Sequence, residues 1–468
     1  MIKKNHLSQG LLLAILLMFS SIFLSGGNRN VLFIMSDDLN VDIASYGHPI
    51  LKTPNLDKLR EESMVFNRAY SQYPLCNPSR NSILSGLYPG TSGNLNNQDN
   101  IRELIPDIVT LPQAFKDAGY LTATSGKVFH QKDPASWTHI SDMNTGGLWP
   151  TNEEPRFYRR WGQENKTKGE GGLLVDNTVP WFRWRSVTEG EEYLKDHQVA
   201  RAAINRMDDI LEAQKHFFLA IGFMRPHDPY FAPKRFFDMY PLEFLELPEA
   251  PADASSVPMR AFNRVFKAAF EQMSRKDQLE AMRSYYAGIS YMDEQVGIVM
   301  DAMEQKGLLE NTIIVFRGDN GYHVGEKGYW NKATLFERSC RAPLMISYPG
   351  MQTAGASTNR LVEFVDIFPT LTELGGIQAP EGPDGESLLP LLVNPDAAWD
   401  ELVYAYVNQD RSVRTPDYRY IVWKNYGDAL YDVKKDPGEH YNLANNPEYK
   451  SVVEQMRSLI AGMPEPGE

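Results

Sequence analysis

The stretch from Leu75 to Gly86 holds the most specific arrangement of reactive side chains in the sequence. Cys76 is followed by Pro78 and Arg80, with one residue between each pair. Proline is favoured in the first turn of a helix, so residue 76 is predicted to lie at a helix N-terminus, where free backbone amides favour an anion. A lone cysteine is more often a small buried hydrophobe than a nucleophile, so the surrounding residues must decide its role.

Polar side chains that could bind a cation or move a proton follow four short apolar runs. The runs cover 30–35, 120–124, 217–223 and 312–316, and the first shows no alternation, which is typical of a parallel strand buried on both faces. The carboxyl ends of such strands meet at one edge of a doubly wound sheet, where ligands bind. This edge is predicted to gather Asp37, Asp38, Lys127, His130, His227, Asp319 and Asn320.

Helix signals lie between these runs, so we predict an α/β fold with a large mixed, mostly parallel sheet sandwiched by helices. A helix is predicted after Thr53 as its cap, with others over 110–118 and 289–303, and a fifth strand over 344–348. From about residue 400, short alternating runs predict a smaller antiparallel sheet with a closing helix near 448–460. The predicted domains are therefore a catalytic domain over 28–395 and a C-terminal subdomain over 396–468.

The composition is that of a folded protein with an acidic surface. The chain has 468 residues, of which 42% are hydrophobic, and a formal net charge of −13. Such a surface repels a phosphate backbone, so we expect no nucleic-acid partner, and an anionic ligand would need a local basic site. Two cysteines cannot form a disulfide framework or a four-cysteine zinc site, and Cys340 is predicted to be a packed thiol.

The N-terminus has the pattern of a secretory signal over residues 1–27. Lys3 and Lys4 precede an apolar run from Leu11 to Leu24, and small residues follow it at 25–27. The run is short for a bilayer span, although a short membrane anchor is the alternative. We expect the mature protein to be secreted or periplasmic, with no integral membrane span.

The motif at Cys76, taken with five further blocks, resembles the sulfatase family of the alkaline-phosphatase-like superfamily. Cys-x-Pro-x-Arg matches the family signature, in which the cysteine is converted after synthesis to formylglycine. The blocks extend along nearly the whole mature chain and are most similar to the iduronate-2-sulfatase-like branch of carbohydrate sulfatases. They are Met35–Leu39, Ser125–His130, Arg225–His227, Gly318–Lys332 and Leu430–Leu443.

The resemblance implies a sulfuric ester hydrolase that uses Ca²⁺ and a formylglycine made from Cys76. Carboxylate and amide oxygens are hard-cation ligands, and the implied ligands are Asp37, Asp38, modified Cys76, Asp319 and Asn320, the last standing where relatives carry His. One hydroxyl of the hydrated aldehyde would attack sulfur and the other would help to expel sulfate. The implied roles are sulfate binding for Lys127 and Lys332, support of the formylglycine for Arg80, proton donation for His227, assistance to sulfate release for His130, and substrate contact for His323.

The implied partners are a sulfated polysaccharide or oligosaccharide and a formylglycine-generating maturation enzyme. Three other functions stay open: a phosphonate or phosphate ester hydrolase of the same fold, an inactive glycan-binding protein if Cys76 is unmodified, and a thiol hydrolase. Segment 137–185 could form a wall for an anionic glycan or could pack its own rings. Its aromatic and basic members are Trp137, Trp149, Trp161, Trp181, Trp184, Arg156, Arg159, Arg160, Arg183 and Arg185.

Overall fold

A computed structural model describes residues 29–140, 162–175 and 178–465. The predicted signal segment lies outside these residues, and so do Trp149, Trp161, Arg156, Arg159 and Arg160. The strands are β1 (Asn30–Asp37), β2 (Met64–Tyr70), β3 (Leu121–Gly126), β4 (His139–Ile140), β5 (Lys168–Leu173), β6 (Arg183–Glu189), β7 (Phe217–Pro226), β8 (Tyr230–Pro233), β9 (Thr312–Gly318), β10 (Leu344–Ser347), β11 (Ser357–Glu363), β12 (Val403–Val407), β13 (Asp410–Arg414), β14 (Tyr418–Trp423) and β15 (Gly427–Asp432).

The α-helices of the described residues vary from single turns to one helix of 31 residues. They are α1 (Pro54–Glu61), α2 (Cys76–Ser85), α3 (Pro89–Ser92), α4 (Ile101–Leu104), α5 (Leu111–Asp117), α6 (Lys195–Ala213), α7 (Lys234–Phe237), α8 (Arg264–Phe270), α9 (Arg275–Gln305), α10 (Glu337–Cys340), α11 (Ile367–Leu374), α12 (Leu389–Val393) and α13 (Lys450–Ala461). In the described parts of the chain, no helix is both long and apolar enough to cross a membrane.

The large sheet has eight strands in the order β11-β2-β10-β9-β1-β7-β3-β4. The strand β1 pairs in parallel with β7 and with β9, and β7 pairs in parallel with β3. The strand β10 is antiparallel to β9 and β2, so the sheet is mixed but mostly parallel. The predicted fold class is therefore confirmed.

The core lies on both faces of this sheet because successive residues of its central strands point in opposite directions. On β1, Leu32 and Ile34 pack into one hydrophobic cluster, and Val31 and Phe33 pack into another. The helices α6 and α9 contact the sheet on the first side, and α5 contacts it on the second. Burial on both faces explains why the sequence of β1 shows no alternation.

The C-terminal part contains the predicted antiparallel sheet, with strands in the order β12-β13-β14-β15, and α13 packs against β13. The domain boundary near residue 395 stays a prediction. A three-stranded sheet of β5, β6 and β8 was not predicted, because β5 is glycine-rich and lacks an apolar pattern. Thr53 precedes α1 as expected but does not cap it; its hydroxyl accepts a hydrogen bond from the Ala44 amide instead.

Candidate active site

Four adjacent strands of the large sheet carry the predicted site residues at their carboxyl ends. Asp37 ends β1, Asp319 follows β9, Lys127 follows β3 and His227 follows β7. Since these strands are neighbours in the order β9-β1-β7-β3, their ends meet along one edge. The predicted convergence is confirmed.

Cys76 is the first residue of α2. Its thiol lies among the charged side chains that meet at this edge of the sheet, which we call the cluster. Its Sγ is 3.3 Å from Asp37 Oδ1 and 2.9 Å from Lys332 Nζ. Ligand atoms of Asp37, Asp38, Cys76 and His227 all lie within 4.8 Å of one another. The helix start at residue 76 therefore places the side chain among acidic and basic groups, as the position of Pro78 predicts.

Buried charges of both signs alternate through the cluster. Lys127 Nζ is 2.5 Å from Asp37 Oδ2, and Lys332 pairs with Asp38. Arg80 is fully buried, with its Nε 2.8 Å from Asp319 Oδ2. A buried charge needs a partner of opposite sign. Each of these three cations is paired with a carboxylate that sequence analysis also predicted in the site.

The residues present fit a hard cation such as Ca²⁺. The side-chain oxygen of Asn320 is buried without a hydrogen-bond partner in the described residues, while its Nδ2 donates to Asp38 Oδ1 at 3.0 Å. An unpartnered buried carbonyl oxygen is costly, and a cation would satisfy it. The carboxylate oxygens of Asp37, Asp38 and Asp319 and the amide oxygen of Asn320 form a donor set that calcium prefers.

The two histidines at the site are in opposite electrostatic environments. Burial lowers the pKa of His227, but Asp38 and Asp37 outweigh burial and raise its pKa to about 10. Burial lowers the pKa of His130 to about 2, with help from Lys127. Both ring nitrogens of His130 are buried and have no hydrogen-bond partner among the described residues. The first imidazole is therefore protonated at neutral pH, and the second is neutral.

Sequence analysis missed two contacts at and near His227. Its Nδ1 hydrogen-bonds to the backbone carbonyl of Asp228, the next residue, and lies 3.0 Å from the Asp228 carboxylate. Arg225, two residues before His227, is buried and ion-paired with Glu164, its Nη2 2.6 Å from Glu164 Oε1. Sequence analysis could have found Asp228, because it directly follows His227. Glu164 is 61 residues away from Arg225, and no local pattern in the sequence links the two.

His323 is not among the ligand-type side chains that meet at Cys76 in the described residues, and its role in substrate contact stays a prediction. Its side chain is fully buried, its Nε2 lies 2.9 Å from Thr334 Oγ1, and its ring packs against Tyr329 and Phe336. Burial lowers its pKa well below the ordinary value, so the imidazole is neutral. Cys340 is fully buried, as predicted for a packed thiol.

The described tryptophans of segment 137–185 pack against the protein. Trp137 is buried against Phe129, Trp181 lies edge-on to Phe266, and Trp184 packs on Phe237. The guanidinium of Arg185 donates to the backbone carbonyl of Thr167. For these residues the structure supports ring packing. Arg183 is the first residue of β6, and the other five members of the segment lie outside the described residues.

Comparison with known proteins agrees with this geometry. The family model described as Sulfatase matches residues 29–377, and the model of the C-terminal part of N-sulphoglucosamine sulphohydrolase matches residues 325–465. A sulfatase of Formosa agariphila is 32% identical over 92% of this chain and 86% of its own length. Iduronate 2-sulfatase of Mus musculus is 29% identical over 92% of this chain and 93% of its own length.

Solved structures share the fold at lower identity. One, of a protein in complex with its substrate D-glucosamine-2-N,6-O-disulfate, has a TM-score of 0.73 and 22% identity, over 93% of this chain and 97% of that one. A phosphonate monoester hydrolase from Silicibacter pomeroyi has a TM-score of 0.77 and 20% identity, over 92% of this chain and 94% of that one. With a family model that covers most of its length and a sulfatase relative above 30% identity, the chain belongs to the sulfatase family and is a sulfuric ester hydrolase.

Proposed function

We propose that this protein is a secreted or periplasmic carbohydrate sulfatase that acts through a formylglycine made from Cys76 and a calcium ion. The observation that carries the proposal is the position of residue 76, which begins α2 between Lys332 and Asp37. Here the thiol Sγ stands in for the oxygen of the modified residue. A nucleophile at this point contacts both a cation, Lys332, and a candidate metal ligand, Asp37.

Lys127 and Lys332 are suited to bind the sulfate group. Their ammonium groups reach the cluster from two different segments, after β3 and before α10, and both are almost fully buried. A buried ammonium favours an anion because it has lost most of its water. The net charge of −13 makes this local concentration of positive groups the expected place for an anionic ligand.

Asp37, Asp38, Asp319 and Asn320 would hold the calcium ion. When bound, calcium would polarise the sulfate oxygens and lower the proton affinity of the nucleophile, and the hydrated formylglycine would supply a hydroxyl nucleophile. Arg80 holds Asp319 and Asp37 in place, because it is 2.8 Å from the first and 3.4 Å from the second.

His227 would donate a proton to the sugar oxygen that leaves. Its raised pKa keeps the imidazole protonated at neutral pH, and Asp228 beside Nδ1 leaves Nε2 directed at Asp38 across 3.7 Å. His130 is neutral because burial lowers its pKa to about 2, and both of its ring nitrogens are without a partner in the described part of the chain, so it would assist sulfate release as a hydrogen-bonding group.

The similar proteins support a glycan as the substrate. The mouse relative is an iduronate 2-sulfatase, and a solved structure with the same fold holds a sulfated glucosamine. We therefore infer that the sulfate ester of this protein's substrate is on a sugar of an anionic polysaccharide or oligosaccharide.

The experiment uses protein made in a host that has a formylglycine-generating enzyme. Mass spectrometry of the peptide that contains residue 76 should show a loss of about 18 mass units relative to cysteine. Sulfate release from defined sulfated oligosaccharides is then measured for the wild type, C76A and C340A. The control C340A removes the other buried thiol, which lies outside the cluster.

We expect C76A to lose activity and C340A to keep it. Modified protein that cleaves a phosphonate monoester but no sulfate ester would contradict the proposal in favour of a phosphonate hydrolase. Unmodified, inactive protein that still binds the oligosaccharides would favour a glycan-binding role. Activity in C76A above a few per cent would overturn the assignment of the nucleophile.

A further inference from the structure

The backbone of Asp38 adopts an unusual conformation directly after β1. Its φ is +62°, in the left-handed region that residues other than glycine rarely adopt. The preceding residue, Asp37, ends the strand, so the chain turns sharply between two candidate metal ligands. A conformation of this kind persists only where surrounding contacts hold it.

Two of these contacts come from other candidate ligands of the cation. The Asp38 amide donates to Asp319 Oδ1 at 2.9 Å, and Asp38 Oδ1 accepts from Asn320 Nδ2 at 3.0 Å. Both contacts would have to change or be shared when an ion binds to these oxygens. They are therefore poor candidates for holding the turn by themselves.

Lys332 and His227 also reach the Asp38 carboxylate, whereas Tyr285, which is remote in sequence and is not a candidate ligand, contacts the backbone of the turn. Its hydroxyl donates to the backbone carbonyl of Asp38 at 2.6 Å and accepts from the backbone amide of Asn40 at 3.0 Å. One hydroxyl group thus joins both ends of the turn from Asp38 to Asn40. Neither of these bonds uses an atom that a cation would bind.

Tyr285 is itself held rigidly. It lies near the middle of α9, is almost fully buried, and its ring stacks on Tyr322 with 5.3 Å between centroids and 15° between planes. The ring of Tyr230 meets it edge-on at 6.3 Å. A long helix packed on the sheet and two neighbouring rings leave the hydroxyl little freedom to move.

We propose that Tyr285 is a positioning residue that presets Asp38 for cation binding, an inference that rests on the proposed calcium site. The oxygen atoms of a cation site must be close together before the ion arrives, and a turn that is already fixed reduces the entropy lost on binding. Without the hydroxyl, Asp38 can leave the left-handed region in the ion-free protein, and the ion must restore it.

The test compares Y285F with Y286F, which removes a buried hydroxyl from the next residue of the same helix. Tyr286 lies 3.3 Å from His48 Nε2 and has no role in the cluster, so it controls for the loss of a hydroxyl. The calcium dissociation constant is measured by calorimetry on chelator-treated protein, and thermal unfolding is measured with and without calcium.

We expect Y285F to bind calcium about tenfold more weakly than the wild type and Y286F to bind it within about twofold. The shift in melting temperature caused by calcium should shrink in Y285F, which a simple loss of packing would not produce. Equal calcium affinity in Y285F and the wild type would overturn the proposal, and so would equal losses in both variants.

The experiment distinguishes failure of the proposed calcium site from failure of the role of Tyr285. If the wild type itself binds no calcium, the metal part of the proposed function fails, and this is seen before any variant is measured. If Y285F does not fold, 4-fluorophenylalanine at position 285 takes its place, since it fills the space of the hydroxyl but cannot donate a hydrogen bond. A tenfold loss of calcium affinity in this folded variant supports the proposal, and affinity equal to that of the wild type contradicts it.

Discussion

Replacement of Arg80 by methionine should destabilise the folded protein because it leaves buried carboxylates without a counter-charge. The guanidinium is fully buried, 2.8 Å from Asp319 Oδ2 and 3.4 Å from Asp37 Oδ1, and it also donates to the backbone carbonyl of Val128 at 3.1 Å. Removing one partner of a buried ion pair costs about 3 to 5 kcal/mol. We expect the free energy of unfolding of R80M to fall by that amount.

The matched control is R235M, which removes an arginine with equally good geometry at the surface. Arg235 forms a fork with Glu191 at 2.6 and 2.7 Å, but its side chain is 46% exposed. Water can solvate the carboxylate that remains, so this change should cost about 1 kcal/mol or less. Urea-induced unfolding followed by tryptophan fluorescence gives both values, in chelator so that no cation offsets the lost charge.

The pH dependence of the stability loss distinguishes its two causes, which are a buried carboxylate without a counter-charge and the loss of side-chain packing. Burial raises the pKa of Asp319 and Arg80 opposes this rise, so the pKa should rise further in R80M. A carboxyl whose folded-state pKa is raised contributes stability that is present below its unfolded pKa of about 4 and is lost as pH rises through the folded value. The deficit of R80M should therefore be smaller near about pH 5 than near about pH 8.

A loss in R80M no larger than that in R235M would refute this reasoning. It would mean that Lys127, Lys332 and His227 already neutralise the cluster and that Arg80 adds little. A large loss that does not vary with pH would point to packing of the side chain as its cause.

Three further outcomes can be measured on the same protein. Chelation followed by dialysis should lower activity and melting temperature, because Asp37, Asp38 and Asp319 then lose a shared counter-charge; unchanged melting, with no metal found by elemental analysis, would count against the site. H227A should lose about two orders of magnitude more on a sulfated sugar than on nitrophenyl sulfate, or about 2.7 kcal/mol, since a sugar alkoxide is the poorer leaving group; equal losses would exclude the acid role. Burial, and then the charge of Asp366, raise the pKa of Glu363, so the folded state binds more protons than the unfolded state and stability should fall between about pH 5 and about pH 8. The variant E363Q should show a shallower fall, and the same slope as the wild type would contradict this assignment.

Local sequence patterns were enough to predict the strands that carry the site. Continuous apolar runs identify strands buried on both faces, and the polar residues that follow them, such as Asp37 and Asp319, must lie at strand ends. Likewise, Pro78 predicts that Cys76 begins a helix. These features depend on residues close together in the chain, so a single sequence contains the information.

Contacts between distant segments were decided only by the tertiary structure. His323 and Lys332 come from the same sequence block, yet one packs against Phe336 and the other reaches Cys76. Tyr285 lies before the helix segment predicted over 289–303, because α9 begins already at Arg275, and nothing nearby in sequence links its hydroxyl to Asp38. Such pairs form because the strand order and the packing of α9 on the sheet bring them together, and periodicity specifies which face of an element is buried but not which partner it meets.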